Sequence, residues 1–391
     1  MRILHLSADY PDPLVPAKTK AIFNLLSLAK RQTHSVISLN RVSWRLRIAS
    51  LAFADATGED HRAVAYGAPP KGLLMKRYLD RLADYLTEDL QARGLVPDLI
   101  HAHKLSVEGL VADRLARGFG CPLAISLQGD SDLKIVSHKR ALRADYRRIW
   151  QEAALVFPFA PWTAARMTAL LGTRHGPSPL LPCPGPAASG LAPRTTPQAT
   201  PPIVRCAFHL GVADRKNAKG LILGLAKAAR QIPEIRLEIL GGGDAGAFAE
   251  LRRFAEAEAP GRVAFLGAVP HEAVQGLFNS ACAFALVSHR ESYGMVFAEA
   301  LLAGCPCLIP RGWGIDGYFE EGSVVLSADA KDPESIAAGL VRLVQEEAAF
   351  KARLAALAEG GGLDKLCGAA ILETYEGALA SLATGDREGS A

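Results

Sequence analysis

No glycine occurs in the first 57 residues of this 391-residue chain. A dinucleotide dehydrogenase would want G-x-G-x-x-G after its opening strand, so that class fits poorly. Nor does any apolar run approach the roughly 20 residues that a membrane-crossing helix requires. Cysteine is sparse: Cys121, Cys183, Cys206, Cys282, Cys305, Cys307 and Cys367 are odd in number, and none forms a ligand-like pair. Cys305 and Cys307 lack the two-residue spacer of a zinc or redox motif. The seven therefore read as small buried hydrophobes in a reducing compartment. The opening MRILHLSADY reads as a buried strand, not as a cleavable export signal, and the expected location is the cytoplasm. A hinge-bending solute receptor, which would carry such a signal, fits poorly. No nucleic-acid partner and no cofactor are expected.

What is present describes a globular chain. Nearly half of it is apolar (49%) and 21% is charged, enough to fill two cores in a chain of this length. Charge is unevenly spread. Residues 1–195 carry 26 Lys/Arg against 16 Asp/Glu, net +10, and the remainder 18 against 24, net −6. Such polarity marks either a domain that meets an anionic partner or an ordinary solvated surface.

The clearest break is PGPAASGLAPRTTPQATPP (184–202), which sustains neither helix nor ladder. It places a linker at 185–202 between domains 1–184 and 203–369, with a C-terminal helix at about 370–384 packing back on the first. Short β-branched or Leu-rich runs alternate with amphipathic helical segments on both sides. Before the linker they are RILHLS (2–7), HSVISL (34–39), DLIHAH (98–103), PLAISL (122–127) and ALVFPF (154–159). After it they are VRCAFHL (204–210), RLEILG (236–241), RVAFLG (262–267), CAFALVS (282–288) and PCLIP (306–310). Continuous apolar strands between helices predict parallel sheets covered on both faces. The fold class is α/β, with two doubly wound, Rossmann-like domains expected to face each other across a cleft. Ligands of such sheets bind beyond the carboxyl ends of the strands.

In HRESYGMVFAEALLAG (289–304), Glu291 follows an apolar strand and Glu299 lies a turn into the next helix. A salt bridge and a ligand contact are both open to such acids. The backbone amides of Gly294, Met295 and Val296 lie between them, at the positive end of a helix dipole that suits phosphate. A ligand that offers hydroxyls to the acids and phosphates to the turn is a nucleoside diphosphate sugar.

HRESYGMVFAEALLAGCPCL resembles the donor-site signature of family-4 glycosyltransferases of the GT-B fold: two glutamates separated by seven residues, then Ala-x-Gly-x-Pro. DLIHAHKLSVEGLVADRLARGFGCPLAISLQGDSD and FHLGVADRKNAKGLILGLAKA are similar to the family's strand–helix–strand core and phosphate-binding loop. The resemblance covers nearly the whole chain. It implies that Glu299 binds the ribose hydroxyls and Glu291 the sugar hydroxyls near the reacting carbon. Arg215 and Lys216 are implied to neutralise the leaving diphosphate without a metal, with Lys219 as the alternative for a shorter loop. Leu266 and Gly267 are implied to lie near the base. The implied reaction is transfer of a sugar, with retention, to a cell-surface glycan or glycolipid precursor.

Three departures stand out. The family's Gly-Gly in the first loop is Val15-Pro16 here, followed by Lys18 and Lys20, read as acceptor contacts. Its His-Gly pair becomes Gln128-Gly129; Gln can orient a sugar but carries no proton at neutral pH. Asp130 and Asp132 beside it are candidate acceptor contacts or solvated loop acids. The phosphate loop's Gly-Arg is Gly211-Val212. These departures keep open a degenerate protein that binds nucleotide sugar or a partner without turnover.

His101 and His103 end a strand, where a structural role is favoured over metal binding. Gly241-Gly242-Gly243 reads as a tight strand-to-helix turn, and Trp313 or Tyr318 in RGWGIDGYFEEG as a ligand contact. In RVSWRLRIASLAF (41–53), Trp44, Ile48 and Leu51 fall at helical spacing beside Arg41, Arg45 and Arg47. That segment, with KRALRADYRR (139–148), is open to two readings: peripheral contact with the inner face of an anionic membrane, or an apolar stripe packed on the sheet beside solvated arginines.

Overall fold

A computed structural model describes residues 1–42, 47–184 and 201–388, with side chains to residue 382. The linker residues 185–200, and Trp44 and Arg45, lie outside the described residues. The chain divides into two units: Met1–Phe159, Thr163–Pro184 and Gly368–Ala391 form one, Ala160–Trp162 and Gly185–Cys367 the other.

The first unit runs β1 (Arg2–Ser7), α1 (Ala21–Leu28), β2 (Thr33–Val42), β3 (Ala49–Asp55), β4 (Gly58–Gly67), α2 (Met75–Ala92) and β5 (Leu99–Ala102). It continues through α3 (Glu108–Phe119), β6 (Leu123–Leu127), α4 (Asp130–His138), α5 (Arg143–Glu152), β7 (Leu155–Pro158) and α6 (Pro161–Leu171). Its sheet has the order β3-β4-β2-β1-β5-β6-β7, and β3 pairs antiparallel with β4. Alternation along the strands feeds two cores. Leu4, Leu6, Ile37 and Ile100 pack with α2, α3 and α5. Helix α2 fits there because Leu79, Leu82, Leu86 and Leu90 recur every three or four residues. Each such leucine contributes about 1.5–3 kcal/mol by leaving water. On the other face, Ile3, Leu99 and Phe157 pack with Leu25 of α1 and with Ile371, Tyr375 and Leu379. Those last three lie on α13 (Gly368–Glu388).

This second face also carries a polar row. His5, His34, His101 and His103 are buried on it. His34 Nε2 lies 2.6 Å from the Ala29 carbonyl and must donate to it. Its Nδ1 then accepts from His5 Nε2 at 2.9 Å. His5 Nδ1 in turn accepts from His103 Nε2 at 3.1 Å. Burial, reinforced by neighbouring imidazoles, holds all four pKa values below the ordinary one, His101 at about 3. A single carbonyl thus sets the tautomers of His34, His5 and His103.

The second unit contains β8 (Ile203–Ala207), α7 (Ala218–Ala228), β9 (Arg236–Leu240), α8 (Ala245–Glu258), β10 (Val263–Gly267) and α9 (His271–Asn279). It continues with β11 (Ala283–Ala285), α10 (Met295–Leu302), β12 (Cys307–Pro310), β13 (Val325–Ala328), α11 (Pro333–Gln345) and α12 (Glu347–Glu359). The sheet order is β10-β9-β8-β11-β12-β13, parallel throughout.

Every segment expected as a strand contains one, while β3, β4 and β13 are additional. Among the described residues of 41–53, strand stands in place of the expected interfacial helix. Arg41 and Val42 end β2, and 49–55 pairs residue by residue with β4, placing Leu51 opposite Ala63. Ladder hydrogen bonds to a neighbouring strand outweigh the local helical spacing. In 139–148 the arginines brace the fold: Arg143 donates to the carbonyls of Ser137 and Leu170, Arg147 to that of Leu171, and Arg148 pairs with Asp113.

Candidate active site

The loop between β11 and α10 is built around Glu291. This residue is 7% exposed. Its carboxylate forms an ion pair with the Lys216 ammonium and accepts from Ser288 Oγ at 3.3 Å. Its carbonyl accepts from the Gly314 amide at 3.0 Å. The two halves of the site are also tied through the backbone, because His289 N–H donates to the Arg215 carbonyl at 3.1 Å. Arg215 itself is exposed, and no ion pair holds its guanidinium among the described residues. Asn217 fixes the turn that presents Lys216. It adopts a left-handed backbone (φ 56°), and its amide donates to the carbonyls of Val287 and Ala330 at 3.0 and 2.7 Å.

Gly294 stands at the start of α10 with φ 75°. A Cβ there would lie 2.6 Å from the Phe297 ring and 3.0 Å from Glu291 Cγ, so no other residue fits without displacement. The first turn, starting at Met295 and Val296, has neither a side-chain cap nor an acid. Phe297 N–H donates to the Gly294 carbonyl at 2.9 Å, and the amides of Met295 and Val296 are available to an anion. Further along α10, Glu299 is half-buried. Burial pushes its pKa up, and the charge of His271 pulls it partly back. At the end of β10, Leu266 is 40% exposed and Gly267 takes φ 71°. The Gly241 turn lets two chains touch: a Cβ there would lie 1.8 Å from the Phe208 carbonyl oxygen.

Two second-unit readings change. Lys219, the alternative phosphate ligand, is paired with Glu250 at 2.6 Å. Tyr318 is buried edge-on against Tyr293, and Trp313 packs on Trp162. Tyr318 is thus committed to packing, while Trp313 stays half-buried.

The remaining candidates lie in the first unit, at the carboxyl ends of its strands. Gln128 directly follows β6, and its Nε2 is buried with no hydrogen-bond partner among the described residues. Asp130 is half-buried at the start of α4. Asp132, read as an acceptor contact, serves the fold instead. It is 1% exposed, and its carboxylate accepts from the amides of Leu105 and Ser106 at 3.0 and 2.7 Å. Lys18 is likewise committed, donating to Asp12 and Ser38 Oγ at 2.8 Å each, whereas Lys20 is exposed. Asp12 also accepts from the amides of Leu14 and Val15. Burial would raise its pKa, but hydrogen bonds from Lys18, Ser38, Asn40 and Val15 outweigh it and bring it to about 2.

Sequence reading passed over Ser288, Asn217 and Glu108. Asn217 had a signal in its Arg-Lys-Asn context; Ser288 had none beyond ending an apolar strand. Glu108 is buried, accepts from the Ala8 amide at 2.9 Å and has a second oxygen without a partner. Burial pushes its pKa up to about 7. Nitrogens of His5, His101 and His103 lie within 4.8 Å of one another and have the donor set for a metal. Here they bond to each other and to neighbours, His101 to Ser126 Oγ at 2.8 Å and Tyr375 Oη at 3.3 Å.

The sequence and fold resemble those of known proteins. Residues 207–359 match the family model described as glycosyl transferases group 1, and residues 28–184 match a glycosyl transferase 4-like domain. The chain is 24% identical over 387 residues to a glycogen synthase of Mycobacterium tuberculosis, covering 90% of this chain and 88% of that one. Sucrose-phosphate synthase from Thermosynechococcus elongatus superposes with a TM-score of 0.68 at 19% identity, over 98% of this chain and 100% of that one. Anabaena Alr3699/HepE, solved in complex with UDP, superposes with a TM-score of 0.66 at 17% identity, over 97% and 100%. Two consecutive family matches and full-length likeness in fold lead to one conclusion: the chain belongs to the group 1 glycosyltransferases, enzymes of the GT-B fold.

Proposed function

We propose that this glycosyltransferase moves a sugar from a nucleoside diphosphate sugar to a glycan or glycolipid acceptor in polysaccharide biosynthesis. It does so with retention of configuration and without a metal, in the cytoplasm or at the inner face of the membrane. The observation that carries the reading is the Lys216–Glu291 pair beside the uncapped first turn of α10. As the glycosidic bond breaks, negative charge gathers on the leaving diphosphate. Lys216 and the amides of Met295 and Val296 are fixed donors that, with the exposed guanidinium of Arg215, stabilise it in place of a divalent ion. Glu299 accepts from the ribose hydroxyls. Glu291, held by Lys216 and Ser288, accepts from the sugar near the carbon where positive charge develops. The unpartnered amide of Gln128 suits a sugar hydroxyl. The leaving phosphate takes the acceptor's proton, and the new bond forms on the same face. The relative solved with UDP supports a nucleotide donor.

The test is a panel of nucleotide sugars, screened by thermal shift and then assayed for transfer or hydrolysis in chelator. Product with the donor's anomeric configuration is expected. Inverted product removes the retaining assignment, and activity restored only by magnesium or manganese removes the metal-free one. Gln128, standing where the family carries His, favours a second reading: donor binding without turnover. Donor binding with neither transfer nor hydrolysis would select it.

A further inference from the structure

Leu73 is the most exposed large apolar side chain among the described residues, at 66%, and its neighbour Leu74 is 57% exposed. They occupy the loop from β4 into α2, at the carboxyl edge of the first unit's sheet, where Gln128 and Asp130 also lie. Leu74 holds a left-handed backbone, φ 52°, a conformation that Asn or Gly accepts far more readily. An apolar side chain retained in such a position, facing water, calls for a ligand or surface. The loop is also pinned: Lys139 Nζ donates to the carbonyls of Lys71 and Gly72 at 2.8 and 2.9 Å.

The leucines, with Met75 and Leu142, line a groove of about 920 Å³. Lys71, Arg77 and Arg81 edge it; all three are exposed and have no ion pair among the described residues. Asp80 is the groove's one acid. The first turn of α2 has no acid and no side-chain cap, which adds the positive end of its dipole. An apolar tip within a collar of cations complements an anionic interface, with leucines below the headgroups and arginines at phosphate depth.

We propose that this loop and groove dock on an anionic lipid bilayer and so bring the acceptor edge to the membrane. The purpose rests on the glycolipid-acceptor reading above; the docking itself does not need it. The surface differs from the 41–53 helix expected from sequence, since it comes from 70–81 and 139–142.

Full-length protein is floated with vesicles of phosphatidylcholine mixed with phosphatidylglycerol, and with phosphatidylcholine alone. No donor or acceptor is added, which separates the result from sugar transfer. Binding is expected only to the anionic vesicles, weakening as salt rises. Lys71→Ser, Arg77→Ser and Arg81→Ser together should weaken it on the order of 100-fold, from about 1 kcal/mol per basic residue. Leu73→Ser with Leu74→Asn should abolish most of it while leaving the melting temperature at or above that of the parent. Failure to bind anionic vesicles, equal binding to both vesicle types, or anionic binding undiminished in either variant overturns the proposal. If the leucine variant instead turns a dimer into a monomer while vesicles are ignored, the face is a protein interface and the proposal is wrong.

Discussion

Glu291 and Lys216 share one nearly buried ion pair, with side chains 8% and 14% exposed, so neither is interpretable alone. Removing one partner of a buried pair leaves an uncompensated charge and costs about 3–5 kcal/mol of stability. Lys216→Ala is therefore expected to lower the denaturation midpoint as well as turnover. Lys216→Ala with Glu291→Gln should regain most of the stability but not the activity. Its kcat should stay down by about 3 kcal/mol, the scale of one lost electrostatic donor. If activity returns with stability, Lys216 is structural. Glu299 behaves differently, since no hydrogen bond holds its carboxylate among the described residues and burial raises its pKa. Glu299→Ala should weaken nucleotide binding by about 2 kcal/mol, the loss of a charged hydrogen bond, with apo stability unchanged or higher. Titration calorimetry and thermal unfolding read the two halves. Unchanged nucleotide affinity would refute the ribose assignment. The raised pKa also has a pH signature. Only the ionised carboxylate accepts from both ribose hydroxyls, so affinity should begin to fall on the acid side above the usual glutamate range.

Among the elements, the face of β1, β2 and β5 under α1 and α13 holds its histidines neutral. An unfolded chain binds protons at each histidine near pH 6.5, whereas the folded one does so below that, and well below it at His5, His101 and His103. Below pH 6.5 the unfolded state therefore binds more protons, and stability falls as pH falls. For His101 the window runs from 6.5 down to about 3, with a slope of about 1.4 kcal/mol per pH unit. Denaturant unfolding across that range should show a steep acid loss, shallower in His101→Gln. An identical slope in the variant would mean that His101 is not the group responsible. The turn into α10 makes the opposite kind of demand, for an absent side chain. Gly294→Ala should cost about 1–3 kcal/mol through its positive φ, and more as the new methyl meets Phe297 and Glu291. Unfolding and nucleotide affinity should suffer together; a neutral change in both would show that the turn relaxes freely.

For the molecule as a whole, a ligand that binds only the folded state stabilises it by mass action. A nucleotide sugar at a hundredfold excess over its Kd should add about 2.7 kcal/mol, which a melting scan detects and Glu299→Ala should diminish. Much of this protein was legible in advance, for local reasons. Parallel strands covered on both faces are continuous apolar runs, so RILHLS, LIHA and CLIP declare themselves. The donor motif is contiguous from 289 to 308, and a strand, a turn and a helix start share that one stretch. Strand β3 did not declare itself, because its pairing with β4 is chosen by a partner and its burial pattern resembles an exposed surface. Which charges remain free was equally hidden. Asp132 is consumed by amides 26 and 27 residues away, and Lys18 by the buried Asp12 and Ser38. The same holds for the histidine row, where one carbonyl at Ala29 and a tyrosine 274 residues from His101 set the partners. Runs and spacings specify elements because backbone geometry is local. Whether a polar side chain is a ligand contact or a brace depends on what desolvates it, and only the folded chain brings those neighbours together.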